Sequence, residues 1–320
     1  MIKVAIVGYG NLGKGVEQAL SFQDDMTCVG IFTRREPNTI KAKNPVYHID
    51  DIKKYEIDVA ILCGGSATDL MHQGPEILSN FNVVDSFDTH AKIPEHCKNM
   101  EEVALKHDKL AMISTGWDPG LFSLMRLLST AILPQGKYTT FWGRGVSQGH
   151  SDAVRRIEGV KNAAQYTIPR EEAVQSVLAG EACNLGTRDK HLRHCYVVKE
   201  DWALEDSIRE KIVNMPHYFA DYDTIVEFID EETFLKEHNT MPHGGRVIHH
   251  ANTSPNNSQT IQFLLDLDSN PEFTASVNVA CARAVYRAYS EGKRGVVTMF
   301  EVPLAYLSSQ SIMELREELL

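Results

Sequence analysis

Ile2-Lys3-Val4-Ala5-Ile6-Val7-Gly8-Tyr9-Gly10-Asn11-Leu12-Gly13 is the stretch that decides the fold. Its first six residues form an apolar run short enough for a buried strand. Gly8-Tyr9-Gly10-Asn11-Leu12-Gly13 then fits G-x-G-x-x-G at the start of a helix-length segment, residues 11–22. In that setting Gly8 makes the tight turn, Gly10 lets the backbone approach a pyrophosphate, and Gly13 lets helix and strand pack closely. The N–H groups of the first helical turn face the phosphates. Gly8, Tyr9, Gly10, Asn11, Leu12 and Gly13 are therefore cofactor-binding candidates, against the plainer alternative of a glycine-rich turn with no ligand.

The next strand, residues 28–32, runs into Thr33-Arg34-Arg35. An NAD site places Asp or Glu here to accept from the ribose 2′-OH. No carboxylate stands at this tip, and two guanidiniums follow, which suit the 2′-phosphate of NADP. The alternative is a solvated pair of loop arginines. Strand-like runs continue at 59–63, 83–84 and 110–113, with helical segments at 69–80 and 94–107 between them. Such alternation predicts a Rossmann-type α/β domain over residues 1–118, a parallel sheet with helices on both faces.

After Thr115-Gly116-Trp117-Asp118-Pro119-Gly120 the pattern changes. An amphipathic stretch (121–133) leads to strand-like runs at 138–142, 192–199, 224–229 and 260–267, with long connections, which predicts a second α+β domain over 119–270. Residues 275–289 read as a helix with a small-residue face, followed by a strand at 296–302. Segment 271–320 is expected to return and pack on the first domain.

Of the 320 residues 43% are hydrophobic and 23% charged, an ordinary globular balance, and the formal net charge is −11. With no dense Lys/Arg stripe, a nucleic-acid partner is not expected. No apolar run approaches the roughly 20 residues of a membrane span, and no export signal is read at the N-terminus. The six cysteines (Cys28, Cys63, Cys97, Cys183, Cys195, Cys281) show no C-x-x-C spacing, so a reduced, cytoplasmic protein is expected.

Ligands of open α/β sheets collect at the carboxyl ends of the strands. Cys63-Gly64-Gly65-Ser66-Ala67-Thr68 lies at one such end, and its small residues would admit a nicotinamide ring. Asp88 and Asp118 follow two others, and two carboxylates beside a nicotinamide suggest a substrate bearing an ammonium group. Asp118 has a second reading, as a helix N-cap with Pro119 at the first helical position. Gly145-Val146-Ser147-Gln148-Gly149 matches the G-x-S-x-G of hydrolases, but the dinucleotide turn and the lack of an H-G-G-G-type segment argue against a nucleophilic Ser147. His150, His191, His194, His243, His249 and His250 lack metal-ligand spacing, and no metal is expected.

Residues 4–13, Ser-Thr-Gly-Trp-Asp-Pro-Gly (114–120), Ser-Gln-Gly-His-Ser-Asp-Ala (147–153), Met-Pro-His-Gly-Gly (241–245) and Asn-Pro-Glu-Phe-Thr-Ala-Ser (270–276) closely resemble the meso-diaminopimelate dehydrogenase family, at matching spacing over nearly the whole chain. The resemblance implies a cytoplasmic homodimer of lysine and diaminopimelate biosynthesis, with residues 119–270 serving substrate binding and dimerisation. It implies NADP-dependent oxidative deamination of meso-2,6-diaminopimelate at its D-centre, giving L-2-amino-6-oxopimelate and ammonia. Asp88 and Asp118 would surround the reacting amino centre and one of them handle its proton, with Gln148 and Gly149 holding that end. Thr167, Arg193, His243 and Asn270 would bind the far, L-configured end, and Trp142 is counted with the substrate contacts. His243 also reads as a plain loop residue in a Pro-His-Gly-Gly turn. Gly64 departs from the family, which carries a bulkier residue there. The rival readings are another two-domain NADP dehydrogenase, although the Glu-Lys-Pro of sugar-type members and the basic His-His…Lys segment of dihydrodipicolinate reductases are missing, and a non-catalytic NADP-binding regulator.

Overall fold

The computed structural model describes residues 1–66, 68–181 and 184–320; Ala67 and Cys183 lie outside the described residues. In chain order the first elements are β1 (Ile2–Val7), α1 (Asn11–Leu20), β2 (Met26–Thr33), β3 (Val46–His48), β4 (Val59–Leu62), α2 (Leu70–Leu78), β5 (Asn82–Asp85), α3 (Ile93–Lys106) and β6 (Leu110–Met112). Then come α4 (Leu121–Ile132), β7 (Lys137–Trp142), β8 (Gly145–Val146), α5 (Gln148–Arg155), β9 (Val160–Pro169), α6 (Glu171–Leu178) and α7 (Thr187–Lys190). The remainder is β10 (His191–Lys199), α8 (Glu205–Val213), β11 (Asp223–Phe228), α9 (Glu231–Glu237), β12 (His243–Ser254), β13 (Asn257–Leu267), α10 (Asn270–Ser290), β14 (Gly295–Val297) and α11 (Ile312–Leu319). These group into two compact units, Met1–Leu124 with Pro271–Leu320, and Met125–Asn270.

The first unit is a seven-stranded parallel sheet in the order β14-β6-β5-β4-β1-β2-β3. Alternate residues of one strand enter two different cores. Val4, Ile6, Ile31 and Ile61 join one cluster, while Ala5, Val7, Phe32 and Leu62 join the other. Burial on both faces explains why these strands read as unbroken apolar runs. The 21-residue helix α10 contributes Ala275, Cys281, Ala282, Ala284, Val285 and Ala288 to the first core. Its small residues permit close approach: a Cβ on Gly15 of α1 would lie 2.9 Å from that of Ala275. Two details differ from the sequence reading. β3, a three-residue edge strand, is too short to show a pattern. The last strand stops at Val297, because the Thr298 N–H and hydroxyl both donate to Glu301 Oε2 at 2.7 Å and turn the chain.

The second unit holds two sheets, β11-β10-β9-β8 and β13-β12-β7. β10 runs parallel to β11 and antiparallel to β9, and the smaller sheet is antiparallel throughout. The sequence reading missed β8, β9 and β12. In β9 and β12 the inward positions are partly polar, with Gln165, Thr167 and His249 buried, so the apolar alternation that marks a strand is interrupted. His249 is accommodated at no exposure, its Nε2 lying 2.8 Å from the Leu133 carbonyl oxygen.

Candidate active site

The glycine turn has the geometry its sequence required. Gly8 adopts φ +94°, and a Cβ on Gly13 would sit 2.3 Å from the Gly8 carbonyl oxygen, so neither position tolerates a side chain. Gly10 is the N-cap of α1 and faces open space; no side chain caps this helix start and no acidic residue lies in its first turn. Uncapped N–H groups at an open helix start fit a pyrophosphate. Tyr9 offers backbone rather than side chain. Its hydroxyl donates to the buried Glu17 carboxylate at 2.5 Å, and its carbonyl accepts from Arg35 Nη2 at 2.5 Å. Asn11 opens α1, and Leu12 packs partly buried on the core beneath it.

At the tip of β2 the buried Thr33 turns its hydroxyl to accept from Arg35 N–H at 3.1 Å. Arg34 reaches across to Asp69, with Nη2 at 2.5 Å from Oδ1. Asp69 was not foreseen as part of this site. It also accepts from Gly65 N–H and the Thr68 hydroxyl, each at 3.1 Å, and so ties the loop after β4 to the tip of β2. Burial alone would raise its pKa, but the bonds from Arg34, Gly65 and Thr68 outweigh that and hold the carboxyl below its ordinary value. Its position at the start of a helical segment, directly after the glycine-rich loop, was the available signal. A Cβ on Gly64 would lie 2.8 Å from that of Asp69, so a bulkier residue would need this loop rearranged. Cys63 is half-buried, with its thiol held well above the usual range by burial. The Ser66 hydroxyl accepts from Asp88 N–H at 3.0 Å.

Asp88 is exposed and Asp118 half-buried. The N-cap reading of Asp118 is corrected: α4 starts at Leu121, so neither Asp118 nor Pro119 occupies the predicted helix-start position. Instead Trp117 bridges to Gly120, and Leu121 N–H and Phe122 N–H donate to Gly116 and Trp117 carbonyls at 3.0 and 2.7 Å. Gly116 and Gly120 have φ of +144° and +125°, and a Cβ on Gly120 would strike the Gly116 carbonyl oxygen at 2.1 Å. Asp118 is thus presented by a tight turn.

In the second unit Thr167, Arg193, His243, Gln148 and Asn270 come together from separate segments. Thr167 and Arg193 are cross-strand partners, and an Arg193 Nη1 donates to the Thr167 hydroxyl. Gly145 pairs with Thr167, and a Cβ there would meet the His243 ring at 2.4 Å. The first glycine of the G-x-S-x-G match therefore serves close packing against His243. Val146 N–H donates to the Pro242 carbonyl at 2.8 Å. Met241 joins two further candidates, its Sδ lying 2.8 Å from Gln148 Nε2 and its carbonyl accepting from Asn270 N–H at 3.0 Å. Gly149 borders open space, and Trp142 lies one strand-end away, its N–H donating to His191 Nε2 at 2.9 Å. His243 is not a loop residue; it opens β12.

Arg193 is 7% exposed and has no carboxylate partner among the described residues. Its guanidinium stacks 3.9 Å from the centroid of the Tyr222 ring, and its Nε has no hydrogen-bond partner among the described residues. Burial and the Arg193 charge push His150 down to about 4; burial, Lys190 and Arg193 take His191 to about 3. Burial and Arg193 also lower His243, against a raising contact from Gly244. A buried guanidinium with no carboxylate partner among the described residues is suited to an anionic ligand. The Ser147 hydroxyl does meet His150 Nδ1 at 2.7 Å, but so depressed an imidazole is a poor base, and Ser147 has relaxed backbone (φ −88°, ψ 112°). Tyr222 was invisible to sequence reasoning, and Met241 stood in the quoted 241–245 segment without a role, since no motif marks a stacking or bracing residue.

Residues 116–269 match the family model described as the diaminopimelic acid dehydrogenase C-terminal domain. A meso-diaminopimelate D-dehydrogenase from Ureibacillus thermosphaericus is 53% identical, over 100% of this chain and 99% of its own. A crystal structure of a Clostridium tetani meso-diaminopimelate dehydrogenase with DAP, carrying six substitutions (of a Gln, a Thr, an Arg, a Pro, a His and an Asn), superposes with TM-score 0.94 at 51% identity and full coverage of both chains. An engineered D-amino acid dehydrogenase bound to NADP+ gives TM-score 0.88 at 43% identity, covering 100% of this chain and 99% of its own. By sequence over its full length and by fold, the chain belongs to the meso-diaminopimelate D-dehydrogenase family.

Proposed function

We propose that the chain catalyses the reversible NADP-dependent oxidative deamination of meso-2,6-diaminopimelate at its D-centre, giving L-2-amino-6-oxopimelate and ammonia. The observation that carries this reading is the buried Arg193, held by Thr167 and Tyr222 without a carboxylate partner among the described residues. It is a built receptor for a substrate carboxylate. The substituted residues of the Clostridium tetani relative add support: at one constant offset of six they fall on Gln148, Thr167, Arg193, Pro242, His243 and Asn270, with every residue type the same.

In this reading residues 1–118 with 271–320 form the dinucleotide-binding domain and residues 119–270 the substrate and dimerisation domain. Gly8 to Gly13 hold the pyrophosphate of NADP, Thr33, Arg34 and Arg35 its 2′-phosphate, and the loop from Cys63 to Thr68 its nicotinamide half. When bound, NADP+ supplies the acceptor for the hydride leaving the D-centre Cα. Asp88 and Asp118 hold the amine, and one of them removes its proton through water so that nitrogen can support the developing imine. Gln148 and Gly149 fix this end, with Trp142 beside them. Thr167, Arg193, His243 and Asn270 clamp the L-configured end, which makes the two chemically equal ends of the substrate inequivalent. In the same reading the second unit carries the homodimer contact; its exposed apolar residues include Leu127, Leu128 and Ile132 of α4 and Leu264 of β13. The test is NADPH formation by the purified protein with meso-diaminopimelate, against the D,D and L,L isomers and against NAD+. Comparable rates on the other isomers would overturn the clamp.

A further inference from the structure

The loops that present Asp88 and Asp118 leave the sheet at a gap in its ladder. The β5–β6 pairing ends at Val84 and Met112, and the next rung is missing. Asp85, the last residue of β5, fills it with its side chain. Oδ1 accepts from Phe87 N–H at 2.9 Å, on the way to Asp88, and from Ser114 N–H at 3.0 Å, on the way to Asp118. Its carbonyl accepts from Thr115 N–H at 2.9 Å. Asp85 is completely buried, and its Oδ2 lies 2.7 Å from Nε2 of the equally buried His96 of α3, whose ring stacks on Phe87 at 4.2 Å. From α10, Asn278 spans the same two loops, 2.6 Å from the Thr115 hydroxyl on one side and 2.6 Å from the Ser86 hydroxyl on the other. Ser114, a non-glycine residue, is held at φ +55°, a conformation that persists where its surroundings over-determine it.

We infer that Asp85 is a positioning residue for the reaction: one carboxylate, braced by His96 and backed by Asn278, fixes where the Asp88 loop stands relative to the Asp118 loop. A buried polar side chain is retained where its oxygens find hydrogen-bond partners. Here Oδ1 is shared by the two loops on which the proposed proton handling depends, while Oδ2 is held by His96. The inference rests on the assignment of Asp88 and Asp118 made above. It assigns Asp85 no contact with substrate.

The test compares Asp85→Ala with Asp85→Asn, which keeps an oxygen for both N–H donors. In Asp85→Ala, kcat with meso-diaminopimelate should fall on the order of 10²-fold, as for a misplaced reacting group, and the pH profile of kcat should move. NADPH affinity, read from nucleotide fluorescence, should stay within about twofold, since the Gly8–Gly13 turn is untouched. Asp85→Asn should recover most of kcat. Hydrogen exchange at residues 86–88 and 114–118 should accelerate in the alanine variant. If Asp85→Ala does not fold, Asn278→Ala removes the second tie alone, and a roughly tenfold fall in kcat with unchanged NADPH affinity is expected. Wild-type kcat and pH profile in the folded variant, or NADPH affinity falling in parallel with kcat, would overturn the inference. A wild-type protein inactive on meso-diaminopimelate would instead defeat the proposed function, while faster exchange in the two loops would still show the brace.

Discussion

Two of the arginines assigned to anions, Arg34 and Arg193, are built in opposite ways. The Arg34 side chain is 68% exposed and is steadied by the Asp69 carboxylate. Arg193 is 7% exposed and is steadied by a hydroxyl and an aromatic face. An exposed guanidinium costs little to keep charged, so it can share a carboxylate and still offer donors to a phosphate. A buried one is costly to leave without a carboxylate, and in the proposed function the substrate supplies it. The first arrangement suits discrimination between two nucleotides; the second suits recognition that must be all or nothing.

The comparison is broken most directly at Arg193. Arg193→Met should raise the KM for meso-diaminopimelate roughly 30- to 5,000-fold, the cost of losing a hydrogen-bonded charge pair at about 2–5 kcal/mol. The melting temperature should hold or rise, because an apolar residue relieves an uncompensated buried charge. An unchanged KM would remove Arg193 from the clamp. Arg34→Ala comes next. Charge-assisted hydrogen bonds of about 1.5–3 kcal/mol predict a loss of roughly 10- to 150-fold in kcat/KM for NADP+, with that for NAD+ unaffected. Equal losses with both nucleotides would make Arg34 a plain surface residue.

A pH experiment separates the two regions by stability. His150 and His191 have folded values of about 4 and about 3, below the ordinary 6.5, so the unfolded chain takes up their protons first. Stability from this source is complete above pH 6.5 and is lost as pH falls towards 4 and 3. The melting temperature should drop across that window, and Arg193→Met, which removes one cause of both shifts, should flatten the drop. An equally steep curve in the variant would contradict the electrostatic coupling. The smallest effect is expected at Asp69→Asn. A partly exposed ion pair is worth about 0–1 kcal/mol, so the KM for NADP+ should change no more than about fivefold. A larger change would mean that Asp69 orders the whole Gly64–Thr68 loop.

What was legible follows the same division. The cofactor turn could be read because its requirements are local: Gly8 needs a positive φ and Gly13 needs the absence of a Cβ, and each announces itself as glycine. Arg34 and Arg35 could be read because they follow a strand of fixed reach. Thr167 and Asn270 were named by family resemblance alone, since Thr167 lies in a strand whose buried Gln165 breaks the apolar pattern. Of the two readings of Asp118, only the helix N-cap failed, because a Pro at the next position marks both a helix start and a turn.

The sequence by itself determined the parallel nucleotide-binding sheet, its glycine turn and its preference for NADP, because strand burial, backbone freedom and side-chain charge are written within a few neighbouring residues. Only the tertiary structure decided that Arg193 is buried without a carboxylate partner among the described residues, that Gly145 makes room for His243, and that Asp85 ties its own loop to Ser114, 29 residues on. Those facts depend on which distant groups share a low-dielectric space, and no local pattern encodes that.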